Sequence, residues 1–429
     1  MKLHFFVFIL LFFSNTIAQE NRISIHKEQL EFYNNKNAPP IEKVHVLTGL
    51  DELVARQLHL ITGKNIGLVT NHTGVDKNGI SNYELFMQLN YIHLKAIFAP
   101  EHGFYGNVSA GQKIADKKSE DFPIIFSLYG KTRKPTPEML EGLDLIIYDM
   151  QDVGARFYTY ISTMGLVMEA AAEADIPVLI LDRPNPIGGE KVEGPILDMK
   201  YQSFVGMYPI PIRYGLTCGE LAKMIVGEKW ISAIPKLTIV NMEGWQRNIY
   251  FNETDLMFTP PSPNIPDVKT AVIYPGMCLI EGTNLSEGRG TPHPFKWIGA
   301  PWIDGKKLAQ IMNKKKLPGI VFEPITFTPV SIPGKSLYPK YQNELCQGVH
   351  CKILNFREYN SVDTGVHLIT AMYDLYPSKF EIMSSMIRLW GNDDLVENNK
   401  LKNADDIMNL YNSSINLFHE KSSAYHIYK

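Results

Sequence analysis

Four apolar runs in this chain each end in side chains able to exchange protons or hold a polar ligand. The clusters are Asn71-His72-Thr73, Glu101-His102-Gly103, Asp149-Met150-Gln151-Asp152 with Arg156 close behind, and Asp182-Arg183-Pro184-Asn185. A fifth group, EGTNLSEGRGT at 281–291, sets Glu281, Asn284, Glu287 and Arg289 among three glycines. Carboxylates beside amides, tyrosines and arginines suit carbohydrate chemistry. There, one carboxylic acid protonates the leaving glycosidic oxygen and a second group supports attack at the sugar carbon. The donor must keep its proton near neutral pH, which burial or a neighbouring negative charge favours. Glu101 is best placed for that role. The segment IFAPEHGFYGNVSAGQKI (97–114) starts as a buried strand, breaks at a proline and presents the glutamate at once.

The catalytic candidates are therefore Glu101 and His102, with Glu281, Glu287 and Asp152 for the second group; Asp149 also qualifies by type. Asn71, Gln151, Arg156, Asn284 and Arg289 are the candidates for holding substrate. Each has a plainer reading. Asn, Asp and Gly are ordinary turn residues, a histidine beside a turn is commonly packing, and a glycine-rich acidic loop is commonly solvated surface.

Apolar runs at 66–70 (IGLVT), 94–99 (LKAIFA), 143–149 (LDLIIYD), 177–182 (PVLILD) and 237–240 predict strands. Helices are predicted between them at 81–89, at 160–174 and in GLTCGELAKMIVGE, where Thr217 and Glu220 form a capping-box pattern. Buried strands alternating with helices predict an α/β fold, a doubly wound and mostly parallel sheet with both faces covered. The polar clusters follow strands, at the edge where open α/β sheets bind ligands. The proline-rich 259–266 (TPPSPNIP) reads as a junction between a catalytic domain at 44–262 and a smaller α+β domain at 267–429. In the second, 271–274 and 349–354 predict strands, and 305–314 and 362–376 helices.

The 429 residues carry a net charge of -3 and are 45% hydrophobic, which gives no basic footprint for nucleic acid. Lys2, the apolar FFVFILLFF at 5–13 and the small residues up to Ala18 read as a secretory signal peptide over 1–18, too short to span a bilayer. A secreted or periplasmic protein without a membrane anchor is expected. Cys346 and Cys351 bracket QGVH, and a bridge or two thiols are equally compatible with an exported chain. No C-x-x-C or H-E-x-x-H spacing calls for a metal. No G-x-G-x-x-G follows the first strand, and neither a P-loop nor a G-x-S-x-G elbow occurs. No metal or organic cofactor is implied.

GLVTNHTGVD (67–76), APEHGFYG (99–106), YDMQDVGARFYTY (148–160), LDRPNPIGG (181–189), VEGP (192–195), PIRYGLTCGELA (211–222), SPNIP (262–266) and EGTNLSEGRGT (281–291) occur in that order. With these motifs the chain resembles the bacterial exo-β-N-acetylmuramidases, the NamZ-type glycoside hydrolases once catalogued as a domain of unknown function. The resemblance implies a Rossmann-like N-terminal domain, a smaller C-terminal domain and an active site in the cleft between them. It also implies release of terminal N-acetylmuramic acid from the non-reducing end of peptidoglycan fragments such as MurNAc-GlcNAc. Glu101 of APEHG would be the essential acid. That sugar's lactyl carboxylate needs a cation, for which Arg289 and Arg156 are the natural choices. Retaining, inverting and substrate-assisted routes stay open, as does oligomeric state. Two other readings compete: a non-catalytic peptidoglycan-binding protein, and a cell-wall esterase or amidase, for which Cys218 looks like a packing residue.

Overall fold

The computed structural model describes residues 42–101, 103–105, 117–119, 122–397 and 403–429. The expected signal peptide at 1–18 and His102 lie outside the described residues.

Six parallel strands form the main sheet: β1 (Asn65–Thr70), β2 (His93–Ala99), β4 (Phe122–Ser127), β5 (Leu145–Asp149), β6 (Val178–Leu181) and β7 (Leu237–Val240). A short β3 (Lys117–Ser119) pairs antiparallel with β4, giving the order β3-β4-β2-β1-β5-β6-β7. The chain starts at β1, builds outward through β2 and β4, then returns beside β1 and builds the other way through β5. This is the doubly wound topology, with its switch point between β1 and β5.

Side chains of a strand alternate between faces, and here both faces are buried. Ile66 and Leu68, Leu145 and Ile147, and Leu179 and Leu181 form one core layer with Leu50, Leu53 and Phe86 from the helices Gly49–Arg56 and Asn82–Met87. Val69, Ile146, Tyr148, Val178 and Ile180 face the other way, onto the helices Tyr160–Glu173 and Cys218–Gly227. That is why the strands read as continuous apolar runs. The predicted capping box is present: Thr217 N donates to Glu220 Oε2 at 3.0 Å, and Glu220 N to Thr217 Oγ1 at 3.2 Å. Such a cap contributes about 1 kcal/mol.

The smaller sheet is antiparallel, in the order β8 (Trp297–Ala300), β10 (Cys346–Ile353), β9 (Ile320–Phe327). It packs with the helices Gly305–Lys314 and Ser361–Leu375 in a core continuous with the large sheet's second face. The strand expected at 271–274 is instead part of the helix Val268–Met277. Asp267 caps it by accepting from Thr270 N at 2.7 Å, and every residue but Lys269 is buried. A short apolar run carries no period that separates a buried helix from a strand. Cys218, Cys278, Cys346 and Cys351 are all free thiols. Cys346 and Cys351 stand five apart on β10, an odd separation that turns them to opposite faces. The chain also crosses back at its end: Tyr428 Oη donates to Asp182 Oδ2 at 2.8 Å, and Ile427 N to Glu220 Oε1 at 2.9 Å.

Candidate active site

The strand-end clusters after β2, β1, β5 and β6 come from four neighbouring parallel strands, so they share one edge of the sheet. They do not form one cavity. At the switch point, where dinucleotide-binding proteins of this topology place a pyrophosphate, side chains narrow the space to a pocket of about 330 Å³ lined by Thr73, Gln151 and Arg183 among others. Arg183 grips Asp149 at 2.5 and 2.9 Å, and Asn82 Nδ2 reaches both Asp149 Oδ2 and Thr70 Oγ1 at 2.8 Å. The polar ends of β1, β5 and β6 thus brace one another.

The open cleft lies to one side, off the end of β2, with about 630 Å³ of empty space. Glu101 sits on its first wall, in a turn closed by Gly103 N donating to Pro100 O at 3.1 Å. Gly103 has φ +75°, a conformation that favours glycine and explains the APEHG pattern. Thr159 Oγ1 donates to Glu101 Oε2 at 2.8 Å. The 157–159 strip lines the same wall, and Tyr158 and Tyr160 tie it to the domain junction by both donating to Pro261 O, at 2.8 and 2.9 Å.

The second wall comes from the helix Val268–Met277, the turn Cys278–Gly282 and the loop after it. Glu281 and Arg289 reach the cleft together, joined by an ion pair of 2.6 Å. Burial works against the Arg289 charge, but Glu281 and Glu287 outweigh it and hold the guanidinium above its ordinary pKa. Its Nη2 donates to Glu281 and its Nε faces Glu287 at 3.5 Å, which leaves Nη1 without a hydrogen bond among the described residues. Asn264, Tyr274 and Phe295 complete this side.

Of the residues proposed from sequence, the structure brings Glu101, Glu281 and Arg289 to one cleft. Glu287 stands behind them, 4% exposed, between Arg289 and Lys340 at 3.5 Å from each. Asp152 is buried away from the cleft, where its Oδ2 accepts from Tyr214 Oη at 2.5 Å and Gly154 N at 2.7 Å. Burial pushes its pKa up to about 6. Gln151 donates to the carbonyls of Asp152 and Pro184, and Asn71 is held between Thr73 and Tyr160. Asn284 is spent on the backbone of Lys379 and Glu381.

Arg156 is a correction. It is 1% exposed, and its two terminal nitrogens donate to four backbone carbonyls, those of Pro195, Ile210, Leu389 and Trp390. With both terminal nitrogens so engaged and Nε, the donor left over, buried, the guanidinium presents no exposed face to a substrate carboxylate. Sequence reasoning in turn passed over Thr159, Tyr274 and Asn264. Thr159 and Asn264 lie inside motifs already singled out, YDMQDVGARFYTY and SPNIP, but no spacing rule marks them. Among the described residues no cluster of His, Cys, Asp or Glu could hold a metal ion.

A doubly wound sheet, a smaller second sheet, and a cleft with carboxylates on both walls beside an arginine fit one class, an α/β glycoside hydrolase. The comparisons agree with that class. The family described as exo-β-N-acetylmuramidase NamZ matches in both parts, its N-terminal domain over residues 66–269 and its C-terminal domain over 272–428. The peptidoglycan β-N-acetylmuramidase NamZ of Bacillus subtilis (strain 168) is 43% identical over 393 residues, 90% of this chain and 92% of the relative. Two crystal structures of DUF1343 family proteins from Bacteroides fragilis superpose with TM-scores of 0.82 and 0.72, at 36% and 34% identity. Each covers 90% of this chain, and the chain covers 100% and 99% of them. The chain belongs to the exo-β-N-acetylmuramidase NamZ family.

Proposed function

We infer that this protein is a glycoside hydrolase that removes terminal N-acetylmuramic acid from the non-reducing end of peptidoglycan fragments. The observation that carries the reading is one cleft with Glu101 on one wall and the Glu281–Arg289 pair on the other. Glu101, oriented by Thr159, donates the proton to the departing glycosidic oxygen. Glu281 is the second carboxylate within the cleft and supports the attack at the sugar carbon. Arg289, through its uncommitted Nη1, takes the lactyl carboxylate that sets N-acetylmuramic acid apart from N-acetylglucosamine.

The thiols disfavour a thiol-dependent esterase or amidase: Cys278, in the cleft's lining, is buried, and burial holds its pKa well above the ordinary value. Cys218 is buried in a helix, and burial raises its thiol pKa well above the ordinary value, which disfavours the thiolate. Among the described residues no helix is long and apolar enough to cross a membrane. The residue 1–18 pattern supports export, which would place the enzyme with its polymeric substrate outside the cytoplasmic membrane.

The test is incubation of the purified protein with MurNAc-β-1,4-GlcNAc, following release of both sugars, beside Glu101→Gln. Release by the wild type and its loss in the variant are expected. No release by a folded wild type would overturn the assignment, and full activity in the variant would remove Glu101 from the chemistry.

A further inference from the structure

Lysine side chains usually keep their ammonium in water, but that of Lys340 is turned onto the backbone behind the cleft. Its Nζ donates to the carbonyls of Ile280 and Glu281, each at 3.2 Å, of Thr283 at 2.7 Å and of Leu285 at 3.0 Å. Four carbonyls from six consecutive residues thus converge on one nitrogen, the arrangement by which backbone oxygens hold a bound cation. Glu287 meets the charge. Its Oε2 lies 3.5 Å from Nζ, buried and without a hydrogen bond.

These carbonyls belong to the turn Cys278–Gly282 and the residues after it, where the end of a helix leaves acceptors without donors. Tyr341 Oη takes the Asn284 carbonyl at 2.7 Å and Met383 N that of Gly282 at 2.8 Å, so every carbonyl from 280 to 285 has a partner. Lys340 supplies most of them. Glu281 is carried on this stretch, and its carboxylate accepts from Arg289 Nη2 at 2.6 Å. Glu287 closes the circuit, with Arg289 Nε at 3.5 Å on one side and Lys340 on the other. Lys340 is therefore joined to Glu281 twice, through the backbone that carries it and through the charges that hold its side chain. Nothing in the sequence marks this, because the carbonyls lie 55 to 60 residues away.

Resting on the glycosidase reading above, we propose that Lys340 is a positioning residue for Glu281, an internal cation that fixes the turn and with it the second carboxylate of the cleft. Lys340 does not line the cleft, so it acts through Glu281 and not on the sugar. Without the ammonium, four carbonyls of one turn lose a donor together and the turn relaxes toward water. A displacement of about 1 Å at a reacting group is enough to cost up to about 100-fold in rate. Arginine would keep the charge, but its planar fork spreads the donors over three nitrogens and cannot aim them from one point.

The experiment compares Lys340→Ala and Lys340→Arg with wild type on MurNAc-GlcNAc, with circular dichroism and thermal melts to establish folding and Glu281→Gln run alongside. In Lys340→Ala, kcat should fall by about 10- to 100-fold while KM stays within about threefold. Methylammonium replaces the missing end of the side chain and should restore part of kcat. Tetramethylammonium at equal ionic strength has no N–H to donate and should not. Lys340→Arg keeps the charge and carries the test where Lys340→Ala does not fold; its kcat should still fall by at least about threefold. Wild-type kcat in either folded variant, or a loss confined to KM, would overturn the proposal. So would a loss in Lys340→Ala that both salts repair equally or that neither repairs. Full activity in Glu281→Gln would remove Glu281 from the chemistry and this role of Lys340 with it, whereas an inactive wild type would sink the glycosidase reading itself.

Discussion

Thr159 donates a 2.8 Å hydrogen bond to Glu101 Oε2, so the carboxyl at the end of β2 is oriented by a residue that enters the next-but-one crossover helix. Two separate strand ends therefore fix one acid. Thr159→Val keeps the shape and removes the hydroxyl. A hydrogen bond to a carboxylate contributes about 1.5–3 kcal/mol, so kcat should fall by roughly 10- to 100-fold with little change in KM. Thr159→Ser should recover most of the activity. A loss confined to KM would place Thr159 in substrate binding instead.

Arg289 should govern the choice of sugar. Its Nη1 makes no hydrogen bond among the described residues, while Nη2 and Nε face Glu281 and Glu287. Arg289→Lys keeps the charge but loses the planar fork. On MurNAc-GlcNAc, KM should rise by about tenfold or more. A disaccharide of N-acetylglucosamine, lacking the lactyl group, should show no such rise. Steady-state kinetics on the two substrates decides it, and an equal rise on both would assign Arg289 a bracing role.

How the sequence announced Arg289 and Arg156 alike shows where reading residues stops. Both stand near carboxylates in motifs of the family, and spacing does not tell a guanidinium that faces a cleft from one that closes a core. Glu101 was legible because its place follows from a buried run, a proline and a glycine that needs positive φ. The six parallel strands were largely legible for a similar reason, since burial on both faces leaves continuous apolar runs, although β4, which lies between β2 and the short edge strand β3, was not among those expected. The helix Val268–Met277 was not legible, because a segment apolar on all sides has no moment to read. Asp152 and Gln151 were correctly placed at strand ends. Their partners, Tyr214 and the Pro184 carbonyl, arrive from 62 and 33 residues away and bind them inward.

Arg156 should act on stability rather than affinity. It joins the 195–210 segment to the last turn of the helix Met386–Trp390, donating to the carbonyls of Leu389 and Trp390 where a helix C-terminus lacks donors of its own. Gly391 follows with φ +96° and packs directly against the guanidinium. Burial lowers the Arg156 pKa to about 9, yet it stays charged at neutral pH against carbonyl dipoles alone. Arg156→Met would strand four buried acceptors and should cost more than about 3 kcal/mol. Thermal melts should show a clear drop in Tm, with KM of the folded fraction unchanged. An unaltered Tm would refute the clamp.

Asp152 should leave a signature in the pH dependence of stability. Its carboxyl is 5% exposed, and burial raises its pKa from 3.8 to about 6 despite the hydrogen bonds from Tyr214 and Gly154. A raised acid binds its proton more tightly folded than unfolded. Between about pH 4 and pH 6 the native state therefore holds more protons, and stability falls as pH rises through that window. Above it the loss is complete, and it amounts to roughly 3 kcal/mol for a shift of about two units. Asp152→Asn keeps the outline of the side chain and cannot ionise. Urea melts of wild type and variant at matched pH should diverge accordingly, the difference moving in the variant's favour from pH 4 to pH 7. Asp182, also raised to about 6 by burial, titrates in both proteins and cancels from the comparison. A stability difference constant across that range would mean that Asp152 keeps an ordinary pKa in the folded protein.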